Sequence, residues 1–264
     1  MSIRLARSAV LVLIWTSSIG GAATPKLREI AAIDLSGPFV TRSAWRFTAV
    51  QGPEFDDSLR EGGKAPGAVA LCISNDGGRS CSPDLQRILR PSEGEDLFSQ
   101  PHFLGKAQVV TPRGGRALLL VQLASLHSAN GNQRVATQIL AYDRSRDRFR
   151  SIYGNLTGRN NNEDVRFVTD GPLEGAVISA EPTGNAPFGY WITVNRLTRA
   201  YTYKQVIRFR SATRYADGNP LSVNDSEMPN IQHRLGLWRP GTAMPVPKKN
   251  CPKPHLVRME LWCS

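Results

Sequence analysis

The seven residues ALLLVQL at 117–123 are apolar at six positions. A strand with apolar side chains on both faces has to be covered on both, so this run predicts a central strand inside a larger β structure. It lies within residues 109–153, VVTPRGGRALLLVQLASLHSANGNQRVATQILAYDRSRDRFRSIY. Three turn clusters, PRGG, SANGN and DRSRDR, divide that stretch into four apolar or alternating runs, the pattern of an antiparallel meander. TQILAY at 137–142 is the neighbouring strand, and Phe149, Ile152 and Tyr153 mark a shorter outer one.

The polar, turn-forming stretch GNLTGRNNNED then interrupts the pattern, and a second set of runs follows at 165–169, 176–180, 190–196 and 201–211. It echoes the first set. Val110-Thr111 matches Val168-Thr169 at an offset of 58 (168 − 110), and Ala117-Leu118 matches Ala176-Val177 at 59 (176 − 117). Four strands per unit of that length suit a propeller blade. The expected fold class is therefore all-β, with antiparallel meanders forming a small propeller-like or sandwich domain over residues 24–264 and one short helix.

Upstream, residues 24–44 read as a lead-in. WRFTAV at 45–50 is the first strand, with Trp45, Phe47 and Ala49 on one face. The polar loop 51–66, carrying Glu54, Asp56, Asp57 and Glu61, reads as an exposed lip. The run 68–73 is a strand reversed by the turn NDGG, with Cys81 closing the hairpin. The helix is 82–90, with Ser82 as its cap, Pro83 in its first turn, and Leu85, Ile88 and Leu89 on one face; Pro91 ends it. Seven prolines between 217 and 254 predict an ordered coil or wrapping arm, and 256–262 alternates as a closing strand.

The first 23 residues read as a targeting signal. Arg4 and Arg7 precede the short apolar core 9–15, and Gly21 and Ala23 stand where a signal peptidase inspects. The apolar core is well short of the ~20 residues a bilayer span needs. An exported, periplasmic or secreted protein without a transmembrane segment is expected. In such a compartment an even cysteine count predicts disulfides, here Cys72 with Cys81 across the turn and Cys251 with Cys263 at the end of the chain. Neither pair has zinc spacing, and no metal or other cofactor is expected.

Residues 74–81, SNDGGRSC, resemble the Asp-box hairpin of sialidase-like propellers, Ser-x-Asp-x-Gly-x-Thr-Trp, at Ser74, Asp76 and Gly78. Ser80 replaces the threonine, and Cys81 stands where the tryptophan would pack. The resemblance covers eight residues and occurs once. In that family the box is structural and lies away from the catalytic centre, so it implies a turn geometry and no activity.

Removing the signal's two arginines leaves 31 basic residues (33 − 2) against 22 acidic, a net charge of +9. That balance favours an anionic partner such as a phosphorylated or carboxylated envelope polymer or protein. Nucleic acid is not expected, because no nucleic-acid motif is present. The candidate binding residues form alternating rows, Arg144, Arg146, Arg148 and Arg150 around one hairpin turn and Lys204, Arg208 and Arg210 along a strand. His102, His127, His233 and His255 are scattered outside any nucleophile or metal signature. The expected function is non-catalytic binding. The alternative is a propeller-type hydrolase of a polymeric substrate using carboxylates near Glu163 or Asp225. Two glycosylation sequons, at Asn155 and Asn224, matter only on a eukaryotic export route.

Overall fold

The computed structural model describes residues 27–57, 63–85, 100–128, 131, 133–158, 164–186, 188–211, 218–247 and 251–263. The expected signal segment, residues 86–90 of the expected helix and residues 91–99 after it lie outside the described residues. Leu85 is helical, so Asp84 rather than Ser82 occupies the cap position.

Three antiparallel sheets follow one another along the chain. The first contains β1 (Arg28–Asp34), β2 (Arg46–Gln51) and β5 (Val69–Ser74), in the order β1-β2-β5. Between its strands, β3 (Phe55–Asp56) and β4 (Lys64–Ala65) form a small ribbon on the polar loop. The second sheet is the meander β6 (Phe103–Val110), β7 (Leu118–His127), β8 (Gln133–Asp143) and β9 (Arg148–Gly158). The third is the meander β10 (Asp164–Phe167), β11 (Val177–Pro182), β12 (Tyr190–Leu197) and β13 (Tyr203–Arg210).

The sheets stack in blade-like succession because β7 has no polar face. Leu119, Val121 and Leu123 pack with Phe47, Leu71, Ile73 and Trp45 of the first sheet and its flank. Their neighbours Leu118 and Leu120 point the other way and pack with Ile139, Val165 and Val177 toward the third sheet. The far face of the third sheet, with Ile178, Ile192, Val194 and Phe209, is closed by Val223 and Ile231 of the C-terminal arm. Among the described residues no apolar cluster joins the third sheet back to the first.

Four expectations are corrected. Residues 24–44 are not a plain lead-in: they contain β1 and the one-turn helix α1 (Ser36–Phe39). A bulge at Ile30, where the register passes from Glu29↔Val50 to Ala31↔Ala49, erases the alternation that would have marked the strand. Strand β9 is not short but runs on through Gly158. A bulge at Ile152 carries the strand on, with Gly154 paired opposite Gln138. The arm is not coil throughout: it holds α2 (Val223–Ser226), capped by Ser222, and α3 (Met228–Arg234), with Pro229 in the first turn where its missing N–H costs nothing. The closing strand is a hairpin, β14 (Pro254–Val257) and β15 (Glu260–Cys263), with Arg258 and Met259 both at positive φ as a two-residue turn demands.

Both disulfides pair as spaced, with Cα atoms 5.0 Å apart for Cys72–Cys81 and 5.1 Å for Cys251–Cys263. The second closes the terminal hairpin against the arm, where Asn219 and Ser226 also donate to the Leu261 carbonyl. In the turn after β5, Gly77 and Gly78 adopt positive φ. The Ser74 hydroxyl accepts from the Gly78 N–H at 2.8 Å, and Asp76 accepts from both the backbone and the hydroxyl of Ser80. The hydroxyls of Ser74 and Ser80 hold the Asp76 carboxyl far below the usual carboxylate range. The box is a turn clamp.

The first two sheets are joined by one carboxylate. Asp147, in the β8–β9 turn, accepts from the Ser43 hydroxyl (2.6 Å), the Trp45 indole (2.9 Å) and the Tyr142 hydroxyl (2.5 Å). Those bonds, Ser43 foremost, lower its pKa.

Because β7 feeds two cores, Leu118→Ala and Leu119→Ala should each destabilise by about 2–5 kcal/mol in chemical denaturation. Tolerance of either one would mean that a face of β7 is not packed. Asp147→Asn tests the inter-sheet joint. A group with a depressed folded pKa lends stability above its unfolded pKa and loses it as pH falls through the folded value. The variant should therefore melt below the wild type at neutral pH, and the gap should close in acid.

Candidate functional site

The two predicted basic rows do not converge. A bulge at Val206 shifts the register of β13 from Asn195↔Gln205 to Val194↔Ile207. Arg208 and Arg210 therefore share the face of Thr193 and Trp191, while Lys204, opposite Arg196, is on the other face. Arg208 lies over the Trp191 ring at 4.6 Å, and Arg210 donates to the Asn185 carbonyl at one end of the strand. Arg150 sits at the opposite end, half-buried, donating to the carbonyls of Ala200 (3.3 Å) and Tyr201 (3.0 Å). Eight residues of strand put these two arginines more than ~20 Å apart. Arg144 and Arg146 occupy the β8–β9 turn; Arg146 pairs with Asp143 at 3.2 Å, and that carboxyl is lowered to about 2, chiefly by the Ser145 hydroxyl. Arg148 is exposed at the start of β9, in register opposite Asp143.

Arginines do gather elsewhere. The β6–β7 turn, residues 174–176 and the β12–β13 turn meet around a cleft of about 630 Å³. Arg113, Arg196 and Arg199 line it, Arg116 lies over the Tyr201 ring at 5.2 Å, and Arg150 is fixed just behind. The Tyr201 hydroxyl accepts from the Arg116 N–H at 2.8 Å, tying the two turns together. Positive φ at Gly114 lets PRGG turn tightly enough to bring Arg113 and Arg116 to one mouth. Among the described residues Glu174 is the one carboxylate in the lining, 3.3 Å from Arg113, whose side chain stays 85% exposed. Arg199 is exposed and makes no hydrogen bond or ion pair among the described residues. The sequence signal for this cleft was two Arg-x-x-Arg spacings, 113 with 116 and 196 with 199, each flanking a turn. A search for alternating rows passes over them.

A larger cleft, about 910 Å³, lies between β10 and the arm. At its edge Arg166 pairs with Asp225 and, at 3.1 Å, with Asp164, and it donates to the Ser222 hydroxyl at 2.9 Å. Burial opposes the charge on Arg166, but the hydrogen bond and charge of Asp225, joined by Asp164, raise its pKa overall. Asp225 is thus committed to an ion pair. Glu227 is fully buried, bonded to Ser211 and Asn230. Glu163 and Asp217 lie outside the described residues. His102 is buried with Nδ1 2.7 Å from the Pro66 carbonyl, a structural contact. No group of three or more His, Cys, Asp or Glu side chains is placed to hold a metal among the described residues. Nor does any helix there have the length and apolarity to cross a membrane. The Asn224 sequon is fully buried, and Asn155 donates to Glu181.

Comparison with protein-family models, with curated proteins and with solved structures returns no match for this chain.

Removing Arg166 would leave Asp225, 7% exposed, without its counter-charge. Arg166→Ala should cost about 2–3 kcal/mol in chemical denaturation, under the 3–5 of a fully buried pair because the arginine is 31% exposed.

Proposed function

We propose that this chain is an exported, non-catalytic binding protein that meets an anionic polymer or protein through the arginine cleft between the β6–β7 and β12–β13 turns. The observation that carries the reading is the gathering of Arg113, Arg196 and Arg199 in the lining of one cleft, with Arg116 and Arg150 beside it, against Glu174 as the one carboxylate in that lining among the described residues. Planar guanidinium forks match carboxylate and phosphate oxygens two at a time, and cations presented from several turns can span successive charges on a polymer. Export is supported by the N-terminal signal pattern and by two disulfides in a chain with no free cysteine among the described residues. Non-catalytic binding is supported by the commitment of Asp225 and Glu227 to internal partners.

Retention of the mature protein on resin-bound polyphosphate tests this. With about four charges neutralised on a densely charged polyanion, affinity should fall roughly 50- to 150-fold between 50 and 200 mM salt. Arg113→Ser/Arg116→Ser/Arg199→Ser should elute at clearly lower salt. Arg144→Ser/Arg148→Ser/Arg208→Ser removes the same charge elsewhere and should elute close to the wild type. Equal losses in both triples would mean that net charge alone is being read and would overturn the site.

A further inference from the structure

We infer that the ligand of the arginine cleft is an anionic glycan, its acid groups held by the arginines and its hydroxyls by Glu174, which holds only if that cleft is the binding site. Glu174 is fixed there by its backbone. It ends a single 3₁₀ turn (Gly171–Leu173), where its N–H donates to the Gly171 carbonyl at 3.2 Å and the Gly175 N–H donates to the Val168 carbonyl at 2.8 Å. Gly175 is at φ +80°, and a Cβ there would come within 2.8 Å of the Pro112 Cβ, so bare backbone lets the β6–β7 turn close against this loop. That approach sets Arg113 Nε 3.3 Å from one Glu174 oxygen. The Glu174 side chain is only 18% exposed, and its carboxylate makes no other hydrogen bond or ion pair among the described residues.

A carboxylate built into a cationic cleft lowers affinity for a bare polyanion, because it repels every anion the arginines attract. It contributes only to a ligand that brings hydrogen-bond donors alongside its negative groups. The two oxygens offer about four acceptor positions, and Arg113 approaches one oxygen through Nε alone. An arginine beside a free carboxylate oxygen presents a donor next to an acceptor. A hydroxyl is both, so the pair fits the neighbouring hydroxyls of a sugar. The Tyr201 hydroxyl adds a donor: it accepts from the Arg116 N–H at 2.8 Å, and its own proton has no acceptor among the described residues. An acidic peptide fits less well. Main-chain N–H groups of the lining are already paired, Gly115 with Pro112, Thr198 with Thr202 and Tyr201 with Thr198, which leaves a peptide backbone little to bond. Gly114, Gly115 and Gly175 keep part of the lining free of side chains, and a sugar ring can lie there. Arg196 and Arg199, at the other turn, take the acid groups.

Immobilised polygalacturonate and phosphomannan present carboxylated and phosphorylated glycans, while polyphosphate and polyglutamate present negative charge without hydroxyls. Binding of Glu174→Ala to each, measured by biolayer interferometry, should change in opposite directions. Loss of charge-assisted hydrogen bonds should weaken binding to at least one of the glycans about fivefold or more. Loss of the repulsion should tighten binding to polyphosphate and polyglutamate roughly twofold to fivefold. O-acetylation of the glycan hydroxyls gives a measurement that does not depend on how a variant folds: it should weaken wild-type binding by a similar factor and leave Glu174→Ala unchanged. A glycan response that is absent or tightened, weakening that extends to polyphosphate and polyglutamate, or wild-type indifference to acetylation would overturn the glycan while leaving the cleft in place. Arg113→Ser/Arg116→Ser/Arg199→Ser should weaken binding to every polymer, and indifference there would overturn the cleft itself.

Discussion

Leu118, Leu119, Leu120, Val121 and Leu123 leave β7 with no face to give to water, and the layering of the molecule follows from that. One face calls for the first sheet and the other for the third. At about 25 cal/mol per Å² of apolar surface removed from water, leaving either side bare would forgo several kcal/mol. The chain resolves this sequentially, with each new sheet covering the exposed face of the one before. The price is that the last sheet always has an uncovered face, and here the C-terminal arm takes that position. Its helices are only one or two turns long and could not stand alone in water. They hold because Val223 and Ile231 are buried against Ile178 and Ile192 and because Ser226 and Asn219 are anchored on the terminal hairpin.

Apolar packing leaves sheets free to slide, and polar contacts at the turns fix them. Asp147 gathers Ser43, Trp45 and Tyr142 across the first interface. At the second, Arg150 grips the β12–β13 turn while the Arg116 N–H donates to the Tyr201 hydroxyl. Between these points Tyr153 and Tyr203 meet edge to face at 5.5 Å, and burial pushes both phenols well above their usual range. Arg150 belongs to this scaffold first, and its guanidinium adds positive potential to the cleft from behind.

The two meanders were legible because their alternation and turn chemistry agree, with PRGG, SANGN and DRSRDR falling between strands of matching length. What escaped is traceable to the extra residue of a bulge. Ile30 hides β1, Ile152 splits the period of β9, and Val206 sends Lys204 to the face opposite Arg208. A single inserted residue inverts every later side chain relative to the earlier ones, so rows read at period two are only as sound as the register beneath them. The arm was misread for a different reason. Its prolines are breakers inside helices but tolerated at their starts, and Pro229 stands at such a start.

A stack of sheets also limits where a partner can be met. Faces between sheets are filled, so side chains there become core or staples, as Arg150 does. What remains open is the turn-bearing end of the stack, where the arginine cleft lies. At the turn end, arginines from separate hairpins are held by backbone geometry at distances their mutual repulsion would otherwise oppose, and solvent keeps that repulsion small over ~8 Å at physiological ionic strength. On the proposed reading, an incoming anion would displace the screening ions and meet several cations already in position. Cationic character distributed along one strand cannot do this, because every second side chain faces away and the end residues are too far apart to share a ligand. Whether an arginine in this fold can share a ligand with others is therefore set by which turn it flanks, more than by how many arginines stand near it in the sequence.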